Sequence, residues 1–263
     1  MLLLEHDPRG VAVLTLDRPE VHNAFNAELI AELGDALKRL HAKPPRVLVL
    51  TGQGRSFSAG ADLGWMRSMA DAEAERNRDD ARRLAAMFRA LDELPCPTIA
   101  RVNGPAFGGG VGLICCCDVT VGVDRATFAL SEVRLGLIPA TIAPFVINRI
   151  GAAASRRLML SGMRISASEA LAAGLLDEVV DSGTLDVRVR HWTEAFLDAA
   201  PGAVAECKAL IRCVVRHSGD PDQLDAMTAD WIARIRAGAE GREGTRAFLE
   251  KRQPAWVNRE TGN

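Results

Sequence analysis

The sequence has little of what would direct a protein to a membrane, to nucleic acid or out of the cell. Its formal net charge is only −2, so it exerts little electrostatic attraction on nucleic acid or on an anionic membrane surface. No apolar run approaches the roughly 20 residues that a membrane-spanning helix needs. The N-terminal leucines are followed at once by Glu5, His6 and Asp7, which is typical of neither a signal peptide nor a transit peptide. The sequence therefore predicts a cytoplasmic protein that binds neither membrane nor nucleic acid.

Metal-binding and nucleotide-binding patterns are also missing. The five histidines lie far apart, and Cys115, Cys116 and Cys117 are consecutive, so their side chains cannot converge on one metal ion. The glycines that follow Phe107 do not fit G-x-G-x-x-G, and no G-K-[ST], G-x-S-x-G or H-E-x-x-H is present. We expect a site without metal or redox cofactor. All six cysteines are expected to be small buried hydrophobes in a reducing compartment.

Hydrophobic patterning predicts α/β layering in the first part of the chain. Nearly continuous apolar runs at 11–17, 46–51 and 98–102 are typical of buried strands. Two segments with apolar residues at helical spacing lie between these runs, one capped by Asn26 and the other ending near Pro95. Strands that alternate with helices indicate an α/β core.

The last third of the chain has a different pattern. Beyond about residue 182 only helical periodicity remains, over 186–199, 203–217, 221–237 and 243–251. We therefore expect an α/β core over residues 1–200 and an all-helical region over residues 201–263.

Two glycine-rich loops each follow a predicted strand directly. The first is FSAGADLGWM (57–66), and the second is NGPAFGGGVGL (103–113). Glycine lets the backbone approach a ligand closely, and a short helix over 109–115 would present free N–H groups at its start. One N–H group from each loop could hold one developing oxyanion. Taken alone, the pattern of each loop favours a tight turn that has no function.

A third segment, FALSEVRLGLIPATIAPF (128–145), places a glutamate among apolar residues. Leu130, Val133, Leu135 and Leu137 flank Glu132 and are expected to remove water from its carboxylate, which would raise its pKa. A carboxylate with a raised pKa is suited to proton transfer. The alternative is a glutamate that only stabilises the start of a helix.

These segments occur in an order that resembles one enzyme family. The matching motifs are RPEVHNAFN (18–26), FSAGADL, NGPAFGGG, LSEVRLGLIP and EGREGTRAFLEKRQPAW (240–256). Together they resemble the crotonase (enoyl-CoA hydratase/isomerase) superfamily, and are most similar to bacterial methylglutaconyl-CoA and carboxygeranoyl-CoA hydratases. The resemblance implies a spiral of ββα units with C-terminal helices that pack trimers, which often pair into hexamers. It also implies a coenzyme A thioester as substrate and no separate cofactor.

The resemblance assigns roles to individual residues. It implies that the N–H groups of Ala61 and Gly109 form the oxyanion hole, and that Glu132 is the second of two catalytic glutamates. It implies a substrate and coenzyme A track along the two loops and the C-terminal helix, at Ala59, Gly60, Asp62, Leu63, Gly64, Gly108, Gly112, Phe248 and Lys251. Phe248 and Lys251 match positions that often serve a neighbouring subunit.

Gly112 departs from the family pattern, because typical hydratases have their first glutamate there. We expect the missing side chain to leave space for a branched or carboxylated acyl group, as in 3-methylglutaconyl-CoA. Hydration of such an enoyl-CoA is the leading hypothesis. The nearest alternative is Δ3–Δ2 enoyl-CoA isomerisation with a single glutamate. More remote alternatives are an RNA-binding relative and a non-catalytic relative that binds acyl-CoA.

Overall fold

The structure, a computed structural model, describes residues 1–257 of the chain. Its strands are β1 (Leu2–His6), β2 (Val11–Leu16), β3 (Val47–Gly52), β4 (Thr98–Val102), β5 (Ala106–Phe107), β6 (Val119–Val123), β7 (Thr127–Ala129), β8 (Ile165–Ser166) and β9 (Glu178–Val180). Its helices are α1 (Ala27–Ala42), α2 (Leu63–Ala70), α3 (Ala74–Asp92), α4 (Gly109–Cys115), α5 (Ala143–Ser161), α6 (Ala167–Ala172), α7 (Leu185–Leu197), α8 (Pro201–Arg216), α9 (Pro221–Ala237) and α10 (Ala239–Leu249). Short 3-10 helices occur at Pro19–Val21 and Glu132–Leu135.

A six-stranded sheet forms the centre of the molecule, in the order β1-β2-β3-β4-β6-β9. The β1–β2 pair is antiparallel and the other pairs are parallel. All six residues of β3 are buried, as expected for a parallel strand that is covered on both faces. The strands predicted at 11–17, 46–51 and 98–102 are confirmed as β2, β3 and β4. Because β3 and β4 are parallel neighbours, the loops that follow them leave the same edge of the sheet.

The helix predicted after Asn26 is confirmed as α1. The Asn26 side chain accepts a hydrogen bond from the Leu29 N–H at 2.8 Å, which satisfies one free donor of the first turn. The inward side chains of α1 and of α3 belong to the same hydrophobic cluster as β2 and β3. The amphipathic pattern therefore predicted correctly which faces of these helices are buried.

Several short elements were not predicted. The strands β5, β7 and β8 form a separate three-stranded sheet, and each has only two or three residues. Such lengths are too short for a periodic pattern to be recognised. The edge strand β1 was also missed, because its polar residues interrupt the apolar run.

The four helices predicted beyond residue 182 are confirmed as α7 to α10, with ends displaced by a few residues. Within the described part of the chain, α9 has no buried residue, and α10 buries only Ala247. Helix α8 buries only Lys208, whose Nζ donates to Asp118 Oδ2 at 2.6 Å and to the Cys96 carbonyl at 2.9 Å. The division into two regions at residue 200 stays a prediction, and residues 258–263 lie outside the described part.

The prediction that all six cysteines are buried is partly wrong. Cys96 and the three consecutive cysteines are buried, and burial raises the pKa of the Cys96 thiol to about 12. Cys207 is exposed and Cys213 is half-buried, because both lie on α8, most of which is not covered by the rest of the chain. Among residues 1–257, no helix is both long and apolar enough to cross a membrane.

Candidate active site

Backbone hydrogen bonds to the segment before α1 hold the first glycine-rich loop in place. The Phe25 N–H donates to the Gly60 carbonyl at 2.6 Å, and the Asp62 N–H donates to the Phe25 carbonyl at 2.8 Å. Gly60 has a φ of +81°, a conformation that favours glycine. The N–H of Ala61 lies between the two bonded residues and donates to no group within the described residues. The loop therefore presents one free backbone donor.

Asp62 ends this loop and begins α2. Its side chain caps the helix by accepting from the Gly64 N–H at 2.8 Å and from the Trp65 N–H at 3.3 Å. The Arg18 guanidinium lies 3.2 Å from the second carboxylate oxygen. The sequence predicted that Asp62 lies beside the substrate track, and the structure gives it a structural role in holding the loop.

The second loop lies against the first. The Phe107 N–H donates to the Ser58 carbonyl at 2.9 Å, which links β5 to the first loop. A Cβ added to Gly60 would lie 2.5 Å from the Phe107 carbonyl oxygen and 3.3 Å from the Gly109 nitrogen. The N–H of Gly109 begins α4 and has no acceptor in the part of the chain that the structure describes. The structure thus brings together two loops that each carry a free N–H group.

Glu132 lies beside the second loop, at the start of a 3-10 helix. A Cβ added to Gly108 would lie 2.9 Å from Glu132 Oε1, so only glycine allows the carboxylate this close. The other oxygen, Oε2, is buried and has no hydrogen-bond partner among residues 1–257. Burial raises the pKa of Glu132, while its own backbone N–H acts weakly in the opposite direction. A buried polar atom without a partner is uncommon, and it can receive a proton or a hydrogen bond from a ligand.

The predicted surroundings of Glu132 are correct only in part. Leu130 is buried, but Leu135 and Leu137 are 63% and 51% exposed and so do little to remove water from the carboxylate. The 3-10 helix turns the chain outward after Val133, so that residues 134–138 lie on the surface. The raised pKa was predicted correctly, although two of the four supporting contacts were not.

The predicted space beside Gly112 is absent. A Cβ added there would lie 2.4 Å from Ile142 Cγ2 and 3.0 Å from Phe88 Cε1. The expectation that Gly112 leaves room for an acyl branch is therefore wrong, because another side chain of the protein fills that room. The space beside Gly109 is also filled, since a Cβ there would lie 2.7 Å from Phe25 Cε2.

The residues expected to contact coenzyme A are distributed over two distant parts of the chain. Ala59, Gly60, Leu63 and Gly64 lie within the first loop, and Leu63 is exposed. Phe248 is 82% exposed at the end of α10, and Lys251 follows that helix. Within residues 1–257 of one chain, neither Phe248 nor Lys251 forms a hydrogen bond with the two loops.

Sequence reasoning missed the side chains that support the site from behind. Phe25, Phe88 and Phe145 form a buried aromatic group, with ring centroids 6.3 Å apart for Phe25 and Phe88 and 6.0 Å apart for Phe88 and Phe145. Ile142 completes this group next to Gly112. Each of these residues could be recognised as apolar from the sequence, but no local pattern indicates that they meet behind α4.

Comparisons with known proteins give the family. Residues 6–259 match the family described as enoyl-CoA hydratase/isomerase. An enoyl-CoA hydratase of Alternaria alternata is 36% identical, over 91% of this chain and 78% of that protein. A crotonyl-CoA hydratase of Syntrophomonas wolfei is 31% identical, over 98% of both proteins. The crystal structure of an enoyl-CoA hydratase from Shewanella pealeana is 41% identical, with a TM-score of 0.93 over 97% of this chain and 95% of that one.

The chain therefore belongs to the enoyl-CoA hydratase/isomerase family, and the predicted crotonase-like fold is confirmed.

Proposed function

We propose that this member of the enoyl-CoA hydratase/isomerase family adds water across the α,β double bond of an acyl-CoA thioester. The observation that carries the proposal is the unpartnered, buried oxygen of Glu132 beside the loop that bears the free N–H of Gly109. This arrangement supplies a proton acceptor next to donors for a developing negative charge, which are the two requirements of the reaction.

In the proposed mechanism, the N–H groups of Ala61 and Gly109 donate to the thioester carbonyl oxygen. They draw electron density from the conjugated double bond, so that Cβ becomes electrophilic. Glu132 takes a proton from water as the water oxygen bonds to Cβ, and negative charge collects on the thioester oxygen. A proton is then delivered to Cα, and its transfer from the protonated Glu132 would restore the starting carboxylate. The product contains the two hydrogens and the oxygen of one water molecule.

We propose that coenzyme A runs along Ala59, Gly60, Leu63 and Gly64 towards the nucleotide end. The exposure of Leu63 and Gly64, at the end of the first loop, supports this path. Since Phe248 projects into solvent, it fits a role in which it and Lys251 contact the nucleotide bound to a neighbouring subunit. We also propose that the reaction needs no cofactor other than the coenzyme A of the substrate.

A homotrimer, or a hexamer made of two trimers, is the proposed assembly. Its support is the uncovered apolar surface of the last three helices. Ile211, Val214, Val215, Ile232, Phe248 and Leu249 are all large, apolar and exposed in one chain. A surface of this kind is typical of a protein–protein contact.

The acyl group is proposed to be branched or carboxylated, as in 3-methylglutaconyl-CoA. This part of the proposal is supported by the motifs in LSEVRLGLIP and NGPAFGGG and by the absence of a second carboxylate at Gly112. It is not supported by free space at Gly112, because Ile142 fills that position.

The test is to incubate the purified protein with crotonyl-CoA and with 3-methylglutaconyl-CoA. Hydration is followed by loss of the absorbance of the conjugated thioester and by the mass of the product. We expect a gain of one water with both substrates and a larger kcat/KM for the branched one. A larger kcat/KM for crotonyl-CoA would overturn the assignment of the acyl group, and no hydration of either substrate would overturn the assigned reaction.

Isomerisation of a 3-enoyl-CoA to a 2-enoyl-CoA is the second candidate. It is favoured by the presence of Glu132 and the lack of a side chain at Gly112, because moving one proton between two carbons requires only one base and an oxyanion hole. Interconversion of 3- and 2-enoyl-CoA without hydration would establish it in place of the hydratase.

A further inference from the structure

Gly112 lies one turn beyond Gly109 on the same face of α4. Residues three apart on a helix are neighbours on its surface, so a side chain at 112 would stand close to the start of the helix and its free N–H groups. The position is therefore one from which a second acid or base could reach the reacting carbons. In this chain it carries no side chain at all.

The room beside Gly112 is taken by Ile142. A Cβ at 112 would lie 2.4 Å from Ile142 Cγ2, which is closer than real Cβ atoms approach other carbons, and 3.1 Å from Ile142 Cβ, which is a tight contact. Ile142 is only 2% exposed, and its carbonyl accepts hydrogen bonds from the N–H groups of Phe145 and Val146 at 3.1 and 3.0 Å. The start of α5 therefore fixes the backbone of Ile142, and burial surrounds its side chain.

The second neighbour of Gly112 is equally constrained. Phe88 is fully buried, and its ring packs between those of Phe25 and Phe145. Interiors of this density do not accept an added carbon without displacement of side chains. A side chain at 112 would therefore have to displace at least one buried neighbour.

We propose that Ile142 is a specificity-determining residue that excludes a second proton-transfer group from the site. It occupies the space that a side chain at 112 would need, and with Phe88 it leaves only hydrocarbon next to Gly112. Proton transfer at the reacting double bond then falls to Glu132. This inference rests on the proposed function, because it assumes that the site acts on an enoyl-CoA.

Two consequences follow. The acidic limb of the pH profile of kcat/KM should contain one ionisation in the wild-type protein, because only Glu132 must be charged. In addition, a glutamate introduced at 112 cannot enter the site unless Ile142 is also made smaller.

The steric part is tested without any activity measurement. Gly112→Ala is expected to lower the Tm by several degrees in the wild-type background and by much less in an Ile142→Ala background. Ile142→Leu provides a milder background, because it removes the Cγ2 branch while it keeps the side-chain volume. Equal losses of Tm in the wild-type and in both variant backgrounds would overturn the proposed contact.

The chemical part compares Gly112→Glu alone with Gly112→Glu/Ile142→Ala. We expect the single variant to lose at least tenfold in kcat/KM with crotonyl-CoA, and the double variant to recover much of that loss. We also expect the pH profile of the double variant to contain a second ionisation. The matched control Gly112→Gln/Ile142→Ala has the same shape but no added ionisable group, so its profile should keep one ionisation.

The outcomes separate the two proposals. If wild type turns over no enoyl-CoA while the Tm differences appear as expected, the proposed function fails and the steric contact stands. If wild type is active but the single and double glutamate variants have the same kcat/KM and the same pH profile, the role of Ile142 is overturned and the proposed function stands.

Discussion

The α/β part of the molecule and its last three helices bury their apolar residues in different ways. The strand β3 is buried along its whole length, and the inward faces of α1 and α3 are covered by the same hydrophobic cluster. In contrast, α9 buries no residue in the described chain, and α8 and α10 bury one each. The first region therefore encloses a core within its own chain, whereas the last three helices bury almost none of their own residues.

This difference indicates which properties each region controls. The two loops and Glu132 all belong to the α/β part, so the proposed chemistry depends on contacts within one chain. The C-terminal helices carry Phe248 and the uncovered surface, so assembly and nucleotide contact would depend on a second chain. Changes in the first region should therefore alter turnover without altering assembly, and changes in the second should do the reverse.

The largest effect is expected from Glu132→Gln. Removal of the only proposed proton acceptor should lower kcat by roughly 10²–10⁴-fold, the usual contribution of a positioned acid–base group. Binding of a coenzyme A thioester and the oligomeric state should not change. Because burial raises the pKa of Glu132, the acidic limb of the wild-type kcat/KM profile should lie above the ordinary range of a glutamate. Steady-state kinetics across pH and sedimentation of both proteins provide the measurements.

A variant with nearly normal turnover would remove Glu132 from the mechanism. A variant that loses its assembly together with its activity would contradict the separation between the two regions.

The next largest effect is expected from loss of the Gly109 donor. Gly109→Pro deletes the N–H at the first position of α4, and one such donor typically contributes roughly 10²–10³-fold to kcat. Proline is tolerated at the first position of a helix, but its Cβ would meet the Phe25 ring. Gly109→Ala is the matched control, since it has the same contact with Phe25 and keeps the N–H. We expect turnover to fall much further in the proline variant, provided that circular dichroism shows both to be folded. Equal turnover of the two would exclude Gly109 as an oxyanion donor.

The same comparison explains what the sequence could predict. The two loops could be located because glycine-rich segments follow parallel neighbouring strands, whose ends meet at one edge of the sheet. The raised pKa of Glu132 could be expected from its apolar neighbours, although the sequence could not show that Leu135 and Leu137 face outward. In a sequence, an apolar residue that its own chain buries has the same hydrophobicity as one that a partner subunit covers.

The contact between Ile142 and Gly112 could not be predicted for a different reason. Gly112 lies on α4 and Ile142 immediately precedes α5, so their distance depends on how those two helices pack. A glycine in a helix normally suggests free space or flexibility. Only the packed structure shows that a distant side chain has taken the space.

A smaller effect on chemistry, but a clear one on assembly, is expected from Ile232→Asp. Ile232 is exposed on α9, so the variant should cost one chain little stability. If α9 lies in a subunit interface, a buried aspartate there should shift the protein towards monomers and raise KM for the thioester. Val187→Asp is the control, because Val187 is also exposed but belongs to α7. Dissociation of both variants would show that the interface extends beyond the last three helices, and dissociation of neither would show that Ile232 lies outside it.

The smallest effect concerns the pH dependence of stability, and it should have opposite signs in the two regions. Burial raises the pKa of Glu132, so the charged carboxylate destabilises the fold. This destabilisation is present above the pKa of Glu132 in the folded state and absent below its pKa in the unfolded state. Glu206 on α8 accepts hydrogen bonds from Arg234 and Trp231, which lower its pKa. The charged Glu206 therefore stabilises the fold at neutral pH, and this stabilisation is lost as the pH falls through the pKa of Glu206 in the folded state. At neutral pH, Glu132→Gln should therefore raise the Tm slightly and Glu206→Gln should lower it slightly, and both differences should shrink under acidic conditions. Glu206 is partly exposed, so solvent screens its pairing and its effect should be the weaker one. Calorimetry of both variants across pH measures these differences. If Glu132→Gln lowers the Tm at neutral pH, then the Glu132 carboxylate is stabilised in the fold, and its unpartnered oxygen cannot be the feature that prepares it for proton transfer.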